Sequence, residues 1–133
     1  MAFSRLTGLA LGTLALVAMV FGIPAAAATA SSVTEVSAQV RPAEYHGECP
    51  AALEFVGTIK VSAHPVVVEY VWERSNHSRS QVRRIEVRGA VQTITDEWGV
   101  GGLPAAQEVW EKLTILSPNS ISSAVAKATV HCQ

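Results

Sequence analysis

Apolar and polar residues alternate with a period of two along most of the chain beyond Leu53. That is the spacing of strands with one buried and one solvated face. Leu53, Phe55, Ile59 and Val61 fall on one side, with Glu54, Thr58, Lys60 and Ser62 between them. Gly57 interrupts the apolar side and marks a bulge or a close approach. After His64-Pro65 the apolar parity passes to Val66, Val68, Tyr70 and Trp72, while Glu69 and Glu73 face away. Ser75-Asn76-His77-Ser78 reads as a polar turn. Val82, Ile85 and Val87 then alternate loosely with Arg84, Glu86 and Arg88, up to a turn at Gly89. Val91 to Trp98 is rich in β-branched residues, and Gly99 to Pro104 reads as a loop. Alternation resumes from Val109 to Leu116, followed by a turn at Ser117-Pro118-Asn119-Ser120. In the final strand Ala124, Ala126, Ala128, Val130 and Cys132 point inward, and Val125, Lys127, Thr129 and His131 outward. An opening strand covers Val33 to Val40 and stops at Arg41-Pro42.

These segments make seven strands, and no stretch has a helical period of useful length; Ala105 to Trp110 allows one turn at most. Short strands at regular spacing around a central Tyr70-x-Trp72 predict an all-β fold. The expected architecture is a seven-stranded antiparallel β-sandwich of immunoglobulin-like or fibronectin III-like kind, as one domain over residues 31–133.

The first thirty residues do not fit that pattern. Arg5 is their only charge, Leu6 to Ile23 is an apolar run, and Ala25 to Ser31 offers A-x-A cleavage frames. This is the layout of a secretory signal peptide over residues 1–30. The remainder carries nine Lys/Arg against eleven Asp/Glu. A balance that close to neutral gives no bulk claim on nucleic acid or on an anionic membrane. Both cysteines, Cys49 and Cys132, lie beyond the leader. Two cysteines in a small exported domain read as a disulfide. The expected bridge sits near one end of the sandwich, with Cys49 before the second strand and Cys132 closing the last.

The ordered set Tyr45-His46-Gly47-Glu48-Cys49-Pro50, Phe55-x-Gly57-x-Ile59, Tyr70-x-Trp72-x-Arg74-Ser75, Ser117-Pro118-Asn119 and a final Cys132 resembles small secreted bacterial Ig-like domains. The resemblance covers Tyr45 to the C-terminus. It implies the fold and export, and it brings no catalytic residues. Asn76-His77 stands where that family has an Asp-Gly-type turn.

Four features carry candidate chemistry. Arg74, Arg79, Arg83, Arg84 and Arg88 cluster in one third of the chain. Arg74, Arg83 and Arg84 are candidates for an outward anion-binding face, because the guanidinium fork suits planar anions. Glu69, Glu73 and Glu86 offer cross-strand neutralisation instead. Trp98 and Trp110 flank the glycine loop and are candidates for a sugar-stacking platform, whereas Trp72 alternates with core residues. Gly99-Val100-Gly101-Gly102 resembles the glycine loop of chagasin-like cysteine-protease inhibitors, which implies a close backbone approach at Gly101. Finally, His46, Cys49, His131 and Cys132 could supply four tetrahedral zinc ligands. Adjacent strand residues such as His131 and Cys132 point to opposite faces, which argues against shared ligation. No nucleophilic triad is visible, and Asp96 is the single aspartate.

The sequence therefore predicts a secreted, monomeric, non-catalytic binding module that uses no cofactor or metal. Its expected partner is an extracellular protein or glycan. An enzyme inhibitor and a His/Cys metal-binding domain are the alternatives.

Overall fold

The computed structural model describes residues 12, 17–22, 30–102 and 105–133. Most of the expected leader lies outside the described residues, as do Leu103 and Pro104 of the glycine loop. No helix among the described residues is long and apolar enough to cross a membrane.

Nine strands follow in chain order: β1 (Val33–Arg41), β2 (Glu44–Gly47), β3 (Ala51–Val61), β4 (Val66–Arg74), β5 (Arg83–Val87), β6 (Val91–Val100), β7 (Gln107–Ser117), β8 (Ile121–Ser122) and β9 (Ala126–Cys132). One sheet has the order β1-β3-β6; the other has the order β2-β9-β7-β4-β5, with β8 paired to β7. The two sheets close on one apolar layer as an Ig-like sandwich. β5 pairs with β4 rather than joining the β1-β3-β6 sheet. All seven expected strands are present. The count rises to nine through β2 and β8, and β2 runs parallel to β9, so the sandwich is not wholly antiparallel. Neither short segment has an apolar alternation of its own; each forms because a neighbouring backbone completes its hydrogen bonds.

Three local expectations need correction. Gly99 and Val100 belong to β6, because Ala52 and Ala51 of β3 extend the ladder to them. The segment expected to allow one helical turn is in fact the start of β7, where Gln107 pairs with Val130. Ala124 is exposed rather than inward, since β9 begins only at Ala126. The Asn76-His77 turn is well formed. His77 adopts φ 66°, and the Asn76 side chain accepts a hydrogen bond from the Ser78 amide at 3.0 Å. Such left-handed positions are enriched in Asn, Asp and His among non-glycine residues.

The core follows the period-two pattern. Leu53, Phe55 and Ile59 from β3 meet Val68 and Trp72 from β4 and Leu113 and Ile115 from β7, all fully buried. Gly57 lies inward in this layer as a close-approach position. A Cβ there would fall 2.7 Å from Leu113 Cδ2 and 3.0 Å from Trp72 Cη2. The space a side chain would take is filled by the Leu113 methyl and the Trp72 indole. Gly57→Ala should therefore overpack the core and destabilise the fold by about 1–3 kcal/mol. Chemical denaturation measures this directly; a neutral or stabilising result would mean that the Leu113 side chain and the indole can move aside.

Candidate functional site

Strand parity places four charged residues where the two sheets meet. Arg74 continues the inward parity of Tyr70 and Trp72, and Glu111 lies between the buried Val109 and Leu113. Asp96 follows the buried Ile94 on β6, and Arg83 shares the parity of Ile85 and Val87 on β5. Arg74 donates from Nη2 to Asp96 Oδ2 at 2.9 Å and from Nε to Glu111 Oε1 at 2.8 Å. Arg83 Nη2 donates to Asp96 Oδ1 at 2.7 Å. The carboxylates are nearly sealed, with side-chain exposures of 4% for Asp96 and 0% for Glu111. Glu111 Oε2 is buried without a hydrogen-bond partner. Burial, followed by the neighbouring Asp96 charge, outweighs the help of Arg74 and pushes the Glu111 carboxyl up to about 7. For Asp96 burial opposes ionisation, but hydrogen bonds from Arg83 and Arg74 prevail and hold it below its ordinary value.

Two of the three arginines nominated for an outward anion-binding face are thus spent inside the sandwich. Arg74 and Arg83 bind the chain's own carboxylates, while Arg84 remains outward and lies 3.9 Å from Glu69. Arg79 pairs with Glu73, and Arg88 with Glu86. The exposed sheet face is therefore one of mixed charge, with carboxylates within reach of each of these arginines. Those charges also blunt β5, an edge strand that would otherwise offer free backbone groups.

Neither Trp98 nor Trp110 stands clear of the surface; both are half-buried. Trp98 tilts against Phe55 with ring centroids 6.4 Å apart, and the Arg74 guanidinium lies 5.5 Å from its ring centroid. It separates the apolar layer from the ion cluster. Its remaining surface lines a groove of about 290 Å³ with Ser75, Asn76, Val100, Gly101 and Gln107. Gln107 Oε1 itself is buried and has no hydrogen-bond partner among the described residues. The groove unites two of the nominated residues, Trp98 and Gly101, and leaves Trp110 out. The close approach at Gly101 is internal. A Cβ there would lie 3.0 Å from Pro50 Cα and 3.3 Å from Cys49 Cβ.

The cysteines form a disulfide, Cys49–Cys132, with Cα atoms 5.5 Å apart. It ties the β2–β3 connection to the end of β9, at the end of the sandwich expected from the sequence. Both sulfurs are consumed, so the four-ligand His/Cys zinc set does not form. The two histidines nevertheless meet. β2 and β9 place His46 opposite His131, and the rings stack 4.1 Å apart and nearly parallel, at 5°. Glu44, two residues before His46 on the same face of β2, directs Oε1 to His46 Nε2 at 2.9 Å and to His131 Nε2 at 3.6 Å. Glu44 is not among the residues the sequence predicts for a site. The signal was its Glu-x-His spacing on an extended segment, hidden because Glu44 to Gly47 did not read as a strand.

No protein-family model matches the chain, and no curated protein matches it. Among solved structures, the fold is similar to the CARDB domain of a Pyrococcus furiosus protein, crystallised in complex with di-metal ions. The likeness covers 74% of this chain and 94% of that one, with a TM-score of 0.53 and 10% identity. At that identity it shows the fold: a small Ig-like β-domain.

Proposed function

We propose that the protein is an exported, non-catalytic Ig-like binding module, and that the groove beside Trp98 is its ligand-contacting surface. The observation that carries this reading is the convergence of Trp98, Asn76, Gly101 and Gln107 on one concavity. A partly exposed indole flanked by amide side chains suits a saccharide, which presents an apolar ring face and a fringe of hydroxyls. Export is supported by the Arg5-to-Ala30 leader pattern and by the disulfide, which suits an oxidising compartment. The ordered resemblance to secreted bacterial Ig-like domains points the same way.

An array of extracellular polysaccharides tests the groove. Saturable glycan binding is expected, with Gln107→Leu and Asn76→Ala each weakening it at least ten-fold, roughly the value of one or two lost hydrogen bonds. Binding that survives both substitutions would remove the groove. An array without hits, together with inhibition of papain-like proteases, would replace this reading with the inhibitor.

A further inference from the structure

We infer that Glu44, His46 and His131 form a binding site for a zinc-class divalent transition ion on the outer face of the β2–β9 pair. The site is independent of the groove and of any saccharide. It requires one carboxylate oxygen and two imidazole nitrogens to converge on a point, and the backbone brings this about. Glu44 and His46 are two residues apart on β2 and share a face. The parallel register sets His46 directly beside His131 on β9. One ligand atom from each of the three residues lies within 4.8 Å of the other two. Around a tetrahedral zinc with bonds of about 2.1 Å these atoms would stand about 3.4 Å apart. The observed separations bracket that value: Glu44 Oε1 lies 2.9 Å from His46 Nε2 and 3.6 Å from His131 Nε2.

Stacked imidazoles that aim their Nε2 atoms at one carboxylate oxygen gather three ligand atoms around a single point; in the metal-free chain His46 Nε2–H donates to Glu44, and a divalent cation takes the place of that hydrogen and satisfies all three groups together. Two neutral nitrogens and one carboxylate are ligands that zinc, copper(II) and nickel(II) accept. All three side chains are at least one-third exposed, so a fourth position faces solvent and stays open to water. The sequence suggested a metal through Cys49 and Cys132 as well. The disulfide removes both sulfurs and instead serves the site from behind: Gly47, next to His46, pairs with Cys132, next to His131. Locked strands present the two histidines ready-paired.

The test uses the untagged, oxidised full chain and Zn2+ alone. Calorimetric titration should give one equivalent per chain. His46→Ala and His131→Ala should each weaken binding at least ten-fold, Glu44→Gln should weaken it several-fold, and the double histidine variant should not bind. In NMR spectra the His46 and His131 ring signals should shift together on zinc addition, while those of His64 and His77 stay in place. Because the ion would link β2 to β9, zinc should raise the melting temperature of the wild type and not of the double variant. An absence of saturable binding would overturn the site, as would affinity unchanged in His131→Ala or ring shifts confined to His64 and His77. Melting curves without zinc, unchanged by these exposed substitutions, separate lost ligation from lost folding.

Discussion

Arg74→Met should destabilise the domain by about 3–5 kcal/mol, the loss expected when one partner of a buried ion pair is removed and the other charges stay. Among the described residues Arg74 is the only group that bridges both sealed carboxylates, through Nη2 to Asp96 and Nε to Glu111. Without it, Asp96 keeps Arg83, and Glu111 has no cation among its hydrogen bonds. Arg83→Met should cost less, because its guanidinium is 38% exposed and Asp96 would retain Arg74. Glu111→Gln should be close to neutral at pH 7. Its amide oxygen still accepts from Arg74 Nε, and its NH2 group replaces the buried oxygen that lacks a partner. Adding Glu111→Met to Arg74→Met should recover part of the loss, since an apolar pair leaves less uncompensated charge. Urea denaturation of the four variants measures the series. Arg74→Met within 1 kcal/mol of wild type would mean that water enters and solvates the cluster.

The same cluster sets a pH dependence with two opposite slopes. Glu111 has its native pKa raised from 4.5 to about 7, so the folded chain holds a proton that the unfolded chain releases. Its contribution to stability is complete below pH 4.5 and is lost as the pH rises to about 7. Asp96 has its native pKa lowered from 3.8, so its contribution is present above that value and is lost as the pH falls through the native one. Glu111→Gln should flatten the upper slope and leave the lower one.

Strand parity alone does not reveal this cluster. Alternation identified the seven main strands because burial on one face imposes a period of two on apolar residues, and Leu53 to Val61 or Val109 to Ile115 carry that period openly. The same rule puts Arg74 on the parity of Trp72, and Arg83 on that of Ile85. Charge alone suggested the outer face. A charged residue at an inward parity is legible only if its counter-charge is found, and Asp96 and Glu111 come from two other strands. Trp72 was assigned to the core correctly because its neighbours two residues away are apolar. β2 was invisible for a different reason: a four-residue parallel edge strand is dictated by its partner backbone. The disulfide position is legible because two cysteines allow a single intrachain pairing. The meeting of His46 with His131 depends on the parallel register, which no local pattern encodes.

Removal of the disulfide should have the largest effect of all. Cys49 and Cys132 are 83 residues apart. In the chain-entropy model closing a loop of that length stabilises the native state by about 4–5 kcal/mol through the unfolded ensemble. A domain of this size has only about 5–15 kcal/mol in total. The double variant Cys49→Ser/Cys132→Ser should thus melt roughly 15–30 °C lower than the oxidised wild type, and dithiothreitol should bring the wild type to the same point. The loss should also be uneven. β2 is four residues long and is held by β9, with further backbone bonds from Thr129 to Ala43 and from Gln133 to Gly47. It has no second sheet neighbour, so its amides should lose hydrogen-exchange protection before those of β4 and β7, which pair in the sheet interior. The connection at Cys49-Pro50 also supports Gly101, so the groove should loosen with it. A melting point within 5 °C of wild type would show that the apolar layer around Trp72 suffices by itself. The expected fall would instead tie the stable fold to a compartment that oxidises thiols, because in a reducing one the chain would keep its sheets only marginally.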